Sequence, residues 1–218
     1  MGVVELRQYT LRPGGRDVLV ELFDREFVES QEALGMEIVG QFRDLERPDR
    51  FVWLRGFPDM VRRRQALAAF YGGPVWQAHG PAANATMLDS DDVLLLRPAT
   101  PASGFAPLPP RHQAPPTLVV VTVCSLDRPA EAPVVDALLQ ALAGTGSSPL
   151  GVFVEEPREN TFPALPVRTG EHVVVWVQRS PADTDLRAAR DLATALIPNI
   201  TSPALQLRLE PTPRSRLR

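Results

Sequence analysis

Apolar and polar residues alternate from the start of the chain. In VVELRQYT (3 to 10) Val4 and Leu6 point to one side and Glu5, Arg7 and Tyr9 to the other, the two-residue period of a β-strand. After the turn Pro13-Gly14-Gly15 the period changes. Leu19, Leu22, Phe23, Phe27 and Leu34 recur at helical spacing up to Gly35, a residue suited to left-handed backbone after a helix. Alternation returns over Met36 to Arg43 and Arg50 to Phe57, on either side of the hairpin signal DLERPD. A second helix is expected from about Asp59 to Phe70, followed by the corner FYGGPVWQAH. There Gly72 and Gly73 end one helix and Pro74 starts another. Val93 to Arg97 close this half as a strand, so the predicted order is β-α-β-β-α-β.

The same order recurs downstream. Leu118 to Cys124 reads as a strand, and Asp127 with Pro129 opens a helix carrying Val134, Val135, Leu138, Leu139 and Leu142 on one face. Strands follow at Leu150 to Glu155 and His172 to Gln178. Ser180-Pro181-Ala182-Asp183 has the chemistry of a helix start, and Leu205 to Glu210 is the last strand. The stretch between the halves, PATPASGFAPLPPRHQAPP, holds seven prolines and no apolar period, which describes a semi-rigid linker. The expected organisation is a first ferredoxin-like domain over 1–97, a Pro-rich linker over 98–116, a second ferredoxin-like domain over 117–210 and a basic tail over 211–218. Each such sheet leaves one face uncovered. The predicted fold class is therefore α+β, with tandem ferredoxin-like repeats pairing sheet to sheet as an α+β barrel. Strand phase then assigns Val4, Leu6, Val52 and Leu54 to the helices. Glu5, Arg7, Tyr9, Phe51, Trp53 and Arg55 go to the lumen, an amphipathic lining that suits a small organic ligand.

Composition narrows the chemistry. All 23 basic residues are arginine, which removes lysine Schiff bases, lysine-anchored pyridoxal phosphate and a P-loop. A net charge of -3 without a basic stripe argues against nucleic acid as a partner. No apolar run approaches the roughly 18 residues of a membrane span, and the N-terminus has no signal-peptide pattern, so a cytoplasmic protein is expected. The single Cys124, inside LVVVTVC, excludes an intrachain disulfide and reads as a buried small hydrophobe. No histidine pair or His/carboxylate cluster has ligand spacing, so no metal site is expected.

Several segments together carry a resemblance. ELRQYTLRPG (5–14), GQFRDLERPDRFVWLRGFPDM (40–60), RQALAAFYGGPVWQAH (64–79) and AANATMLDSDDVLLLRP (82–98) closely resemble the NIPSNAP family. ENTFPALPVRTGEHVVVW (159–176) is similar to the second repeat of its bacterial two-domain members. The resemblance implies the dimeric α+β barrel superfamily, which includes cofactor-independent monooxygenases, polyketide cyclases, isomerases and haem proteins. It supplies no settled reaction for this family.

Candidate residues keep two readings each. His79 is a general base or a cap at the end of a short helix, sharing a face with Trp76. Tyr9 and Tyr71 are phenol donors for a carbonyl or enolate, or packing anchors. Trp53 and Trp76 form an aromatic pocket wall. Arg7 and Arg55 bind a carboxylate or phenolate, or pair across strands with Glu5. Arg62, Arg63 and Arg64 read as a solvated helix face, although the resemblance marks Arg64 as a position that can turn inward. Asn84 orients a ligand or holds a loop. Trp176 shares a strand face with His172 and Gln178 that could be lumen, His172 being a rim residue or a haem ligand. His112 lies in the Pro-rich stretch with no scaffold. The leading expectation is a metal-independent enzyme of cyclase, isomerase or cofactor-free monooxygenase type, acting on a hydrophobic oxygen-bearing molecule in secondary metabolism. Tyr9, Arg55, Tyr71 and His79 are its candidate catalytic groups, and Arg7, Trp53, Arg64, Trp76, Asn84 and Trp176 its candidate substrate contacts. No cofactor is expected. The alternative is a non-catalytic haem or lipid binder or a scaffold, and a homodimer remains compatible with either.

Overall fold

A computed structural model describes residues 1–111, 117–144, 149–180 and 187–218. The strands are β1 (Val3–Leu11), β2 (Glu37–Asp44), β3 (Arg50–Phe57), β4 (Met87–Pro98), β5 (Leu118–Leu126), β6 (Gly151–Glu155), β7 (His172–Ser180) and β8 (Leu205–Pro211). They close into one antiparallel barrel in the order β1-β3-β2-β8-β5-β7-β6-β4. The first half contributes the run β4-β1-β3-β2 and the second the run β8-β5-β7-β6. The halves join at two short seams. One pairs Phe42 to Asp44 with Leu209 to Pro211, and the other pairs Leu96 to Pro98 with Phe153 to Glu155.

The helices lie outside the barrel. α1 (Gly15–Leu22), a π-helical turn (Phe23–Phe27) and α2 (Val28–Glu32) follow one another without a break. α3 (Met60–Tyr71) and α4 (Pro74–Thr86) meet at the glycine corner, and α5 (Ala132–Gly144) and α6 (Arg187–Leu196) serve the second half. Gly14, with φ 76°, turns the chain into α1, and Gly35, with φ 82°, takes the left-handed position expected after α2. Asp59 caps α3 by accepting the Arg62 backbone N–H at 2.7 Å. Of the helix start read at residues 180–183, Pro181 to Asp183 lie outside the described residues, as does His112. No described helix is long and apolar enough to cross a membrane.

The phase of the strands is the reverse of the one expected from the sequence. Val4, Leu6, Val52 and Leu54 pack with valines, leucines and phenylalanines from all eight strands and with no helical residue, so they fill the barrel interior. Tyr9, Phe51 and Trp53 instead pack with Leu19, Phe23, Phe27, Leu67 and Phe70, beneath the helices. Trp176 likewise leaves the interior and packs with Cys124, Leu138 and Ala193 under α5 and α6. The reason is one of partners. A narrow closed barrel offers its inward side chains mainly other strands, and the residues there are apolar. A charge facing outward meets polar groups that the helices can supply.

The described residues of the segments read as linker and tail pack against the barrel. Ser103 Oγ donates to the Val152 carbonyl at 2.8 Å, and Phe105 and Leu108 join the interior cluster. At the other end Leu217 enters the same cluster, and its N–H donates to the Val39 carbonyl at 3.0 Å. Both segments therefore reinforce the short seams.

Two outcomes follow from this packing. Leu6→Ala removes a fully buried interior side chain and should cost about 2–5 kcal/mol in denaturant unfolding, whereas Val61→Ala on the exposed face of α3 should stay within ~0.5 kcal/mol. Burial pushes the Cys124 thiol up to about 12. Native protein at pH 8 should therefore resist iodoacetamide, and unfolded protein should react; rapid alkylation of the folded state would contradict the burial.

Candidate functional site: a charged floor under an aromatic pocket

Alternation on β1 places Glu5, Arg7 and Tyr9 on one face, and antiparallel register sets Arg55 opposite Glu5 and Trp53 opposite Arg7. Three arginines converge on the one carboxylate. Glu5 Oε2 accepts from Arg7 Nη1 at 2.9 Å and from Arg55 Nε at 2.7 Å, and Glu5 Oε1 accepts from Arg63 Nε at 2.6 Å. All four side chains are fully buried. Burial alone would raise the Glu5 carboxyl, but Arg55, Arg7 and Arg63 override it and hold the group far below the ordinary carboxylate range.

The remaining partners are neutral. Arg7 Nε donates to Tyr9 Oη at 2.8 Å, and Arg55 Nη1 donates to Gln31 Oε1 at 2.9 Å. Gln31 is oriented for this by its own amide, which donates to the Phe27 carbonyl at 2.8 Å. Arg63 Nη1 donates to Asn160 Oδ1 at 2.9 Å, on the β6–β7 loop of the other half. Of the two readings of Arg7 and Arg55, pairing with Glu5 is the one their side chains adopt.

The π turn serves this arrangement. Leu19, Phe23, Phe27 and Gln31 are spaced by four, and on a straight α-helix such a row drifts about 40° per step. One wider turn at Phe23–Phe27 takes up the drift and keeps the row facing the sheet. Phe23 thus meets Trp53 at 4.8 Å and Phe27 meets Trp76 at 5.6 Å between ring centroids.

Above this floor lies a pocket with two levels. The inner void, about 30 Å³, is bounded by Tyr9, Gln31, Phe23, Phe27, Trp53 and Phe70. The outer chamber, about 380 Å³, is bounded by Tyr71, Trp76, Asn84, Asp91, Phe162 and Leu165. Tyr9, Tyr71, Trp76 and Met87 wall both levels. The loop after β6 forms one side, with Phe162 stacked on Tyr71 at 5.8 Å and 24°. Asn160 holds that loop by donating to the Leu165 carbonyl at 2.9 Å while accepting from Arg63. The two halves of the chain thus build one site.

Tyr9, Trp53, Tyr71, Trp76 and Asn84, singled out from the sequence, come together here, although between sheet and helices and not in the barrel interior. Arg7 and Arg55 lie one hydrogen bond behind the wall, through Tyr9 and Gln31. Other candidates fall elsewhere. α4 runs on past His79 to Thr86, so His79 is a mid-helix residue and no helix end; its Nε2 lies 3.4 Å from Glu26 Oε2, away from the pocket lining. Arg64 is exposed and Arg63 is the one turned inward. Met60, Arg63, Leu67 and Phe70 share the apolar face of α3, and residue 64 lies about 100° further round. Trp176 is remote, donating to Gln178 Oε1 at 2.8 Å. His172 pairs with Glu155 at 3.0 Å beside a separate cleft of about 350 Å³. Among the described residues no group of three or more His, Cys, Asp or Glu is arranged to hold a metal ion. Glu5, Arg63, Gln31 and Asn160 were not marked as site residues. For Arg63 the signal was present in the spacing of α3; for Asn160, on a loop between strands, there was none.

Residues 4–102 match the sequence model of the NIPSNAP family. This half of the chain is similar to a NIPSNAP domain. The match contains the whole charged floor except Asn160, and it ends before the segment 159–176 that contributes Phe162. A solved NIPSNAP family protein from Agrobacterium tumefaciens is 21% identical, covering 47% of this chain and 99% of its own, with a TM-score of 0.43. Two structures described as "putative monooxygenase" span almost the full length. The one from Fusobacterium nucleatum is 12% identical over 96% of this chain and 91% of that one, with a TM-score of 0.62. That from Lactobacillus acidophilus is 12% identical over 95% and 92%, with a TM-score of 0.56. At such identities the likeness is one of fold, an α+β barrel. No curated protein matches the chain.

Replacing the sole carboxylate tests the floor. Glu5→Gln leaves three buried guanidiniums facing one another and should cost about 3–5 kcal/mol in chemical denaturation at pH 7. Because the folded pKa is lowered, Glu5 contributes its full stability above the unfolded carboxyl value of about 4.3 and loses it as the pH falls toward the folded value. The gap between wild type and variant should therefore be complete at pH 7 and narrow below about pH 4.

Proposed function

We propose that the NIPSNAP half carries the active site of a small-molecule enzyme that stabilises negative charge on a carbonyl or enol oxygen of a hydrophobic substrate. The observation that carries the reading is the environment of Tyr9. Its oxygen accepts from Arg7 Nε, and no acceptor for its own proton lies among the described residues, so the O–H is free to donate into the pocket. Burial raises the Tyr9 phenol above its usual value, with Arg7 opposing part of the rise, and the group stays a neutral donor at physiological pH. A donor held in an apolar, water-poor site and backed by fixed positive charge suits an oxygen that becomes an oxyanion in the transition state.

Tyr71, Trp76 and Phe162 form a continuous aromatic wall against which a planar body would lie, and Asp91 is a carboxylate on the chamber wall available to take a proton. The chemistry is enolate formation, the α-proton passing to Asp91, leading to isomerisation, cyclisation or, with dioxygen as co-substrate and oxidant, direct oxygenation, with the protein's own residues and no bound metal or cofactor. A haem-binding alternative ligated by His79 or His172 finds no support in the pocket, because neither imidazole lines it. The halves read as tandem copies of one ferredoxin-like unit, in which the second copy closes the barrel and supplies the loop over the pocket. The cytoplasm and a place in secondary metabolism complete the proposal.

The test uses 1-tetralone, an enolisable aryl ketone, in D₂O. Wild-type protein should speed exchange of its α-protons as followed by NMR. Tyr9→Phe should lower that rate by about 10²–10³ while leaving binding, read from tryptophan fluorescence, within a few fold. Binding with no exchange above buffer would make the protein a binder and not an enzyme.

A further inference from the structure

The floor of the pocket is rich in donors and poor in acceptors. Three guanidiniums surround one carboxylate, and every other partner they have is neutral: Tyr9, Gln31, Met36 and Asn160. The buried cluster therefore carries two positive charges more than it compensates. Each arginine has five N–H donors. Each uses Nε and Nη1, and Nη2 of Arg7, Arg55 and Arg63 is buried with no partner. The indole Nε1 of Trp53 is buried and unpartnered as well, on a ring that lies 4.9 Å from the Arg55 guanidinium and 5.8 Å from that of Arg7. A buried charge left uncompensated costs several kcal/mol, and a structure retains such a cost where a ligand relieves it. What is missing is an acceptor that brings negative charge.

We infer that the pocket takes an organic anion, with its carboxylate or enolate oxygens directed to the floor at Tyr9, Gln31 and Trp53 and a flat apolar body in the outer chamber. The inference rests on the pocket being the ligand site. Its dimensions fit: the inner void of about 30 Å³ holds a group the size of a water or a carboxylate oxygen, and the chamber of about 380 Å³ holds a fused aromatic body. The route to the arginines is direct, because the floor residues Tyr9 and Gln31 are the partners of Arg7 and Arg55. An anion accepting from Tyr9 O–H strengthens the Arg7–Tyr9 bond behind it, and a shift of either side chain opens a free Nη2. Tyr9 itself does not supply the missing charge, since its burial keeps it protonated.

A matched pair of probes tests this on the full chain at pH 7.5. 2-Naphthoate and 2-naphthamide share a body and differ in charge. Calorimetry should give naphthoate at least ~10-fold tighter binding. Arg63→Gln should shrink that preference to within about threefold, and Trp76→Ala should weaken both probes alike. The wild-type comparison needs no variant to fold. Naphthamide binding as tightly as naphthoate overturns the anion and leaves the apolar pocket standing. Failure of naphthoate to bind at millimolar concentration overturns the anion, and tetralone exchange then decides separately whether the pocket is an active site.

Discussion

Much of the structure depends on how one carboxylate is satisfied. Glu5 sits in the middle of β1 with no exposure, and a single buried negative charge at that place is untenable without close, well-directed partners. Strand register delivers Arg55, the alternate position delivers Arg7, and α3 delivers Arg63. Each arginine then reaches outward to a different element: Arg7 to Tyr9 at the pocket, Arg55 to Gln31 on α2, Arg63 to Asn160 on the loop of the second half. The carboxylate is thereby the node that holds sheet, helices and the distant loop in one arrangement.

The same node explains why the pocket lies where it does. A face carrying Glu5 and Arg55 needs polar partners that only helices and loops bring, so it turns outward and the helices come down over it. The aromatic residues on that face follow: Trp53 meets Tyr9 and Phe23 edge-on, and Phe27 packs at a tilt against Trp76. A small void is left between rings and charge. The barrel interior, made of valines, leucines and phenylalanines from the strands, is a support. The voids lie in the outer layer, between the sheet and the helices.

The second half contributes in a way that its own core would not suggest. Its helices cover Trp176 and Cys124 in a separate apolar cluster, while its edge strands finish the barrel and its β6–β7 loop walls the pocket of the first half. Leu217 and the strap around Ser103 tighten the joins. Cooperation between halves therefore runs through backbone pairing at the seams and through one polar latch at Asn160.

The element order, the α+β class, the glycine corner before α4 and the left-handed Gly35 are readable in the sequence, because periodicity, turn chemistry and proline act over a few residues. The likeness to NIPSNAP proteins is readable for the same reason. Tyr9 and Trp53 stand on one face by strict alternation, and Arg63 belongs to the apolar face of α3 by helical spacing, so these too are local facts. Alternation assigns residues to two faces without saying which face is inside. That choice was made by partners remote in the chain, Gln31, Arg63 and Asn160, whose positions depend on how the halves close. The tertiary structure decided the side of the sheet on which the charge lies, the turning of Arg63 inward in place of Arg64, and the loop that covers the pocket, because electrostatic satisfaction of a buried carboxylate is a three-dimensional condition.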